Sequence, residues 1–210
     1  NGTATNYGIY LLGTAYAQIS ANSILSNSIN ATGSGASNYG IFLSSNASNN
    51  IVSNNSVLAF GTATSYGIHL LGTATLMTNF NNISSNYVFT SCTAAATTNC
   101  YGIYLFTNTN LNNISLNTVT TNGPTRNFGI HLAGVATGPA NNNTIISNTI
   151  NTNGSTTNNW GIHLTINSNN NTVQSNTITT NGTTLNYGIH LLGATTGSVN
   201  NNLIHDNIIA

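Results

Sequence analysis

One five-residue pattern, aromatic-Gly-Ile-x-Leu, is written seven times in 210 residues, with its glycine at Gly8, Gly40, Gly67, Gly102, Gly129, Gly161 and Gly188. The steps between these glycines are 32, 27, 35, 27, 32 and 27 residues. A second pattern, Asn-x-(Ile/Val)-x-x-Asn-x-(Ile/Val), follows every copy of the first. Its first asparagine is Asn22, Asn50, Asn81, Asn112, Asn143, Asn171 and Asn202. Its second is Asn27, Asn55, Asn86, Asn117, Asn148, Asn176 and Asn207. A fixed period of about 30 residues marks a repeat array. One copy is too short to bury its own Ile and Leu, so the copies must stack on one another.

The spacing between the two patterns alternates. From the motif Leu to the first Ile or Val it is 13 residues in copies one, three, five and seven, as from Leu11 to Ile24. It is 9 residues in copies two, four and six, as from Leu43 to Val52. The larger unit is therefore a pair of copies. The four extra residues fall in Gly/Thr/Ala segments such as "LLGTAT" and predict a loop that protrudes from alternate copies.

The residue types choose between helical and β arrays. Thr, Ile, Val, Tyr and Asn dominate, and the usual surface helix formers are nearly missing: the chain has one basic residue, Arg126, and one acidic residue, Asp206. β-Branched and aromatic residues favour strands. The predicted fold is all-β, a parallel β-solenoid of about seven coils of 27–35 residues with a two-coil super-repeat, running through residues 1–210 as a single array. At a coil spacing of about 4.8 Å, the rod is roughly 34 Å long. Strict alternation puts Tyr7, Ile9 and Leu11 on one face and Gly8 and Tyr10 on the other. The aromatic column (Tyr7, Tyr39, Tyr66, Tyr101, Phe128, Trp160, Tyr187) is thus expected in the core. The x column, which includes His69, His131, His163 and His190, is expected on the surface. The two asparagine columns belong at inward bends, where stacked amides can pair donor with acceptor from coil to coil. Aspartates there would place like charges together in a low dielectric.

The runs "NNTIISNTI" and "NNTVQSNTI" resemble the repeats of right-handed parallel β-helix proteins, the pectin-lyase-like superfamily, and the resemblance covers essentially the whole chain. It implies right-handed coiling. It leaves function open, because that superfamily holds lyases, hydrolases, adhesins, phage tailspikes and structural repeats. Its sugar-cleaving members use clustered carboxylates, or calcium-bound carboxylates with a basic residue. Glycoside hydrolysis in general needs two carboxyl groups flanking the bond, and here Asp206 is alone and far along the array from Arg126. A non-enzymatic protein without catalytic residues or cofactors is expected.

Soluble chains usually carry about 25% charged residues; this one carries 1%. Nucleic acid is excluded as a partner, since binding phosphates takes several Lys or Arg. No apolar run approaches the ~18 residues of a membrane span. Without a signal peptide or initiator Met, the chain reads as processed or as an excerpt. Cys92 and Cys100 are expected to form a disulfide, which fits an extracytoplasmic compartment; free thiols or a metal pair are the alternatives. His131, His163 and His190 on successive coils are weak candidate ligands for copper or zinc, against a plain stack of planar side chains. The number of Asn-x-Ser/Thr sequons is what 42 Asn and 55 Ser or Thr produce by chance. Among them Asn30, Asn153 and Asn181, read as loop residues, are candidates for N-glycosylation. The runs "TVT", "TIN" and "TIT" at 118, 149 and 177 set Thr outward on successive coils, as on ice-binding solenoids.

Neither end reads as a cap. Open sheet edges recruit further strands, and near-zero charge offers no repulsion. The expected role is structural and extracellular or at the cell surface: a subunit or segment of a filament, stalk or surface layer, with further copies of itself as partner, stacked end to end. A carbohydrate-binding or adhesive module with glycan partners is the alternative, and ice binding is the third reading.

Overall fold

The computed structural model describes residues 2–35, 37–94 and 98–210; Asn1, which opens one of the sequons, lies outside them. The described residues form no helix, and the chain winds through three parallel seven-stranded sheets in about six full turns. The first sheet stacks Asn6–Leu12, Ser37–Ser44, Thr64–Leu71, Cys100–Phe106, Asn127–Ala133, Thr157–Thr165 and Thr184–Leu192. The second begins with Ser23–Leu25 and ends with Leu203–His205; the third runs from Ser28–Gly33 to Ile208–Ile209. Each copy of the repeat is one coil with one strand in each sheet, and coils are numbered one to seven below.

Registers repeat without slip. Ile41, Ile68, Ile103, Ile130 and Ile162 lie in line in the first sheet. Val52, Ile83, Ile114, Ile145 and Val173 do so in the second. Val57, Val88, Val119, Ile150 and Ile178 do so in the third. With Leu43, Leu70, Leu105, Leu132 and Leu164 they fill one continuous interior. Burying each such side chain contributes about 2 kcal/mol. A lone coil has no neighbour to bury it against, so the core exists only because the coils stack.

The corners explain the asparagines. Before each first-column Asn stands a residue with φ of 55–58° (Ala21, Asn49, Phe80, Leu111, Asn142, Asn170 and Asn201). Before each second-column Asn stands another with φ of 54–58° (Ser26, Asn54, Ser85, Leu116, Ser147, Ser175 and Asp206). A left-handed residue reverses the local twist of the chain, and the side chain that follows it points inward. Asn117 shows what it then does. Its Nδ2 donates to Asn148 Oδ1 (3.0 Å) and back to Ile83 O (2.8 Å). Its Oδ1 accepts from both the backbone N–H and Nδ2 of Asn86, at 2.9 and 3.0 Å. The amide-to-amide link recurs at all six steps of the first column and all six of the second. No buried amide in either interior run lacks a partner, which is the condition for burying it at all.

The motif glycine is required by space. A Cβ on Gly102 would lie 2.2 Å from Val119 Cγ1 and 2.5 Å from the Gly129 carbonyl oxygen. The carbonyl belongs to the neighbouring coil's backbone and cannot move without breaking the sheet. Gly102→Ala is therefore expected to lower the unfolding free energy by about 3 kcal/mol, at the upper end of overpacking costs. Denaturant titration of the variant beside the parent measures it; a loss below about 0.5 kcal/mol, the range of an ordinary surface change, would show that the coils have slack there.

Candidate functional site

The first sheet breaks strict alternation at one step. The motif glycine faces the third sheet, where a Cβ on Gly8 would meet Ile29 Cγ2 at 2.3 Å. The Ile after it also faces the core. Two successive inward residues leave the preceding aromatic on the outside. The expectation that the aromatic column packs in the core is thus corrected: Tyr7, Tyr39, Tyr66, Tyr101, Phe128, Trp160 and Tyr187 lie on the outer face, beside the x column.

The two columns make one ridge of stacked rings. In every coil the aromatic and the x residue are parallel partners, from Tyr101–Tyr104 at 4.5 Å to Trp160–His163 at 5.0 Å. Along the x column Tyr10, Phe42, His69, Tyr104, His131, His163 and His190 follow at 4.8–4.9 Å. Offset stacking of this kind adds to the apolar area covered. It also buries what alternation exposed: His69, His131 and His163 are only 4%, 7% and 6% exposed.

That geometry limits the chemistry. A sugar stacks on the face of a ring, and within the ridge the faces are taken by neighbouring rings. A metal needs nitrogen lone pairs that converge, and an imidazole lone pair lies in its ring plane. His131 and His163 are 14° from parallel with centroids 4.8 Å apart, and His163 and His190 are 16° and 4.8 Å. Their lone pairs run side by side and do not meet on one ion. No group of three His, Cys, Asp or Glu suited to a metal exists among the described residues. The imidazoles are instead neutral spacers. Burial pushes His69 down to about 3. Burial, and then the neighbouring His190, push His163 down to about 3. His131 is held well below its ordinary value by burial and by His163. The phenols answer in the opposite sense, with Tyr101 pushed up to about 12, chiefly by burial.

A third asparagine column escapes sequence inspection. It precedes the aromatic and reads Asn6, Asn38, Ser65, Cys100, Asn127, Asn159 and Asn186. Asn6 bonds Asn38, Asn127 bonds Asn159, and Asn159 bonds Asn186, each at 2.8 Å. Asn38 and Asn127 also donate to the turn carbonyls of Gly33 and Gly123. Where coil three passes into coil four the same two positions are Cys92, in register with Gly61, and Cys100. They are joined by a disulfide. A covalent bond there stands where Asn38, Asn127 and Asn186 make hydrogen bonds to their turn carbonyls.

The alternating loops are turns at 14–17, 73–76, 135–138 and 194–197, each closed by a backbone hydrogen bond. Between the first two, over short coil two, lies a cleft of about 420 Å³ lined by Gln18, Asn46, Asn49, Met77, Asn79 and Phe80 among others. On the third sheet's outer face Thr118, Thr149 and Thr177 are in register, with Tyr87 before them and Ile208 after. Of the sequons singled out, all three lie on strands of that sheet rather than in loops. Asn30 and Asn181 are exposed, while Asn153 is half-buried and accepts from Asn181 Nδ2 at 3.0 Å. No protein-family model, curated protein or solved structure matches the chain.

Proposed function

We propose that this protein is a structural rod, a non-enzymatic relative of the right-handed β-helix proteins. It serves as a segment of an extracellular filament, stalk or surface layer whose coils are continued by further coils. The observation that carries this reading is the sameness of the coil interfaces. Each of the six steps uses the same two amide ladders and the same apolar columns, and the outward faces of coils one and seven offer those groups again. Ile204 is 39% exposed where its equivalent Ile145 is fully covered, and Tyr7, Tyr10 and Leu12 are likewise open. Arg126 and Asp206 are the only formal charges on the side chains, so charge repulsion between faces is minimal.

The cleft over coil two supports a second reading, adhesion to a neutral glycan, because amides beside Met77 and Phe80 offer hydrogen bonds and an apolar wall without charge. The two readings part in a paired experiment. Native extracellular material viewed by electron microscopy is expected to contain rods many coils long, and the purified chain is expected to show no saturable binding on an array of neutral glycans. Specific glycan binding by particles that never exceed a single chain would overturn the rod in favour of adhesion.

A further inference from the structure

The alternation of long and short coils is an interlock. In each short coil two consecutive residues are left-handed: Ser45 and Asn46, Thr107 and Asn108, Ile166 and Asn167. The second is always Asn, and its Nδ2 donates to the turn carbonyl of the long coil before it. Asn46 bonds Thr14 O at 3.1 Å, Asn108 bonds Thr73 O at 2.6 Å, and Asn167 bonds Val135 O at 2.9 Å. The glycine that opens each long loop makes room for this tight turn. A Cβ on Gly13 would lie 2.3 Å from Ser45 O, one on Gly72 2.3 Å from Thr107 O, and one on Gly134 2.7 Å from Ile166 O.

Coil seven carries the same apparatus with nothing against it. Gly193 stands where Gly13, Gly72 and Gly134 stand, yet the nearest atom to a Cβ there is its own loop's Gly197 O at 3.8 Å. Ala194 O, the counterpart of Thr14, Thr73 and Val135 O, bonds only the Gly197 N–H. The other side of this loop is already seated, since a Cβ on Gly197 would meet Ile166 Cγ2 of coil six at 2.7 Å.

We infer that the face of coil seven is a docking surface for a solenoid coil of the short type. That coil places its first ladder Ile or Val nine residues after its motif Leu. It has two left-handed residues at the turn, the second an Asn whose amide caps Ala194 O. The inference rests on reading the protein as a stacked rod, and it specifies which coil the rod accepts next. A long coil lacks the donor. In coil one the position of Asn46 is Thr14, which has no amide and whose shorter side chain is turned into its own loop, where Oγ1 accepts from the Tyr16 and Ala17 N–H groups, and two protruding loops would compete for one coil's spacing. Direct stacking of coil one of a second copy on coil seven is therefore the poorer match. Losing one capping hydrogen bond and the glycine contact corresponds to roughly tenfold in affinity.

Extended chains test this, compared with the full chain by sedimentation velocity over a range of concentrations. One carries a copy of residues 154–180, a short coil, ahead of Asn1. A second carries a copy of residues 33–59, another short coil, ahead of Asn1, so that it too meets coil seven of the next molecule. A third carries a copy of residues 122–152, a long coil, ahead of Asn1. The first two form the same junction with different short coils, so that if one fails to fold the other still decides. Both are expected to associate end to end about tenfold more tightly than the full chain or the long-led chain. Equal association of all four would overturn the short-coil assignment and leave stacking intact. Association of none would overturn the assignment and the stacked rod together.

Discussion

Replacing Asn117 by Asp is expected to destabilise the protein by about 4 kcal/mol at pH 7, close to the largest losses single substitutions produce. The change is nearly isosteric and swaps one donor for an acceptor. The new oxygen would face Ile83 O and Asn148 Oδ1, now 2.8 and 3.0 Å from Nδ2. Two hydrogen bonds become two contacts between acceptors, and a carboxylate is left buried with no partner charge. Asn117→Ala should cost about 3 kcal/mol, because the N–H and Nδ2 of Asn86 both lose their acceptor and stay buried. Asn122→Asp, on an exposed side chain, should stay within about 0.5 kcal/mol. In a chain of this length 1 kcal/mol moves the melting midpoint by about 2–4 °C, so thermal unfolding separates the three readily. An Asn117→Asp protein as stable as the parent would mean that the amide ladder is an ornament of the fold.

The second large effect is acid unfolding driven by histidine. His69 and His163 are pushed down to about 3 in the folded protein, and His131 is also lowered. In the unfolded chain an imidazole titrates near 6.5. The folded state therefore resists protons that the unfolded state binds. The stability these groups confer is fully present above pH ~6.5 and is lost as pH falls toward ~3. His69 and His163 each contribute a loss of about 1.4 kcal/mol per pH unit in that window, about 3 kcal/mol per unit together, and His131 adds to it in the same direction. Against a usual total of about 5–15 kcal/mol, the rod should come apart between pH 5 and pH 3. Carboxylates, the usual agents of acid unfolding, cannot account for it, since Asp206 is the only acidic side chain. His69→Phe copies what Phe42 supplies one coil earlier and should remove about 1.4 kcal/mol per pH unit of that slope, as denaturant titrations at several pH values would reveal. A stability that is flat from pH 7 to pH 4 would contradict the buried, neutral imidazoles.

Much of this architecture is legible in the residues themselves. The two asparagine columns are invariant across seven copies, and an inward amide ladder is the one arrangement that makes such invariance useful in a core. The alternation of 13 and 9 residues announced the protruding loops. Other features are hidden for physical reasons. Alternation counted from Ile9 put the aromatics inside, because it assumes one side chain per face in turn. The crowding at Gly8, which makes two consecutive residues face inward, is visible only when Ile29 and Gly40 are in place beside it. The third asparagine column is obscured at Ser65 and Cys100. Its capping role cannot be read when the turn before it differs in length from coil to coil. The disulfide was legible as a pair of cysteines, while its place as a substitute for an Asn-to-turn hydrogen bond depended on the register of Cys92 with Gly61. The interlock of Asn46, Asn108 and Asn167 with the long loops needed both the left-handed turns and the glycines that admit them.

The central claim is that coil follows coil beyond the faces seen here. A side-chain-resolution reconstruction of the protein in its native assembly by electron cryomicroscopy tests it most directly. The account predicts a further coil about 4.8 Å beyond coil seven, with an asparagine amide on Asn202 and another on Asn207. It also predicts that the ring ridge continues past Tyr187 and His190. Faces closed instead by an unrelated polar cap, on isolated particles, would contradict it.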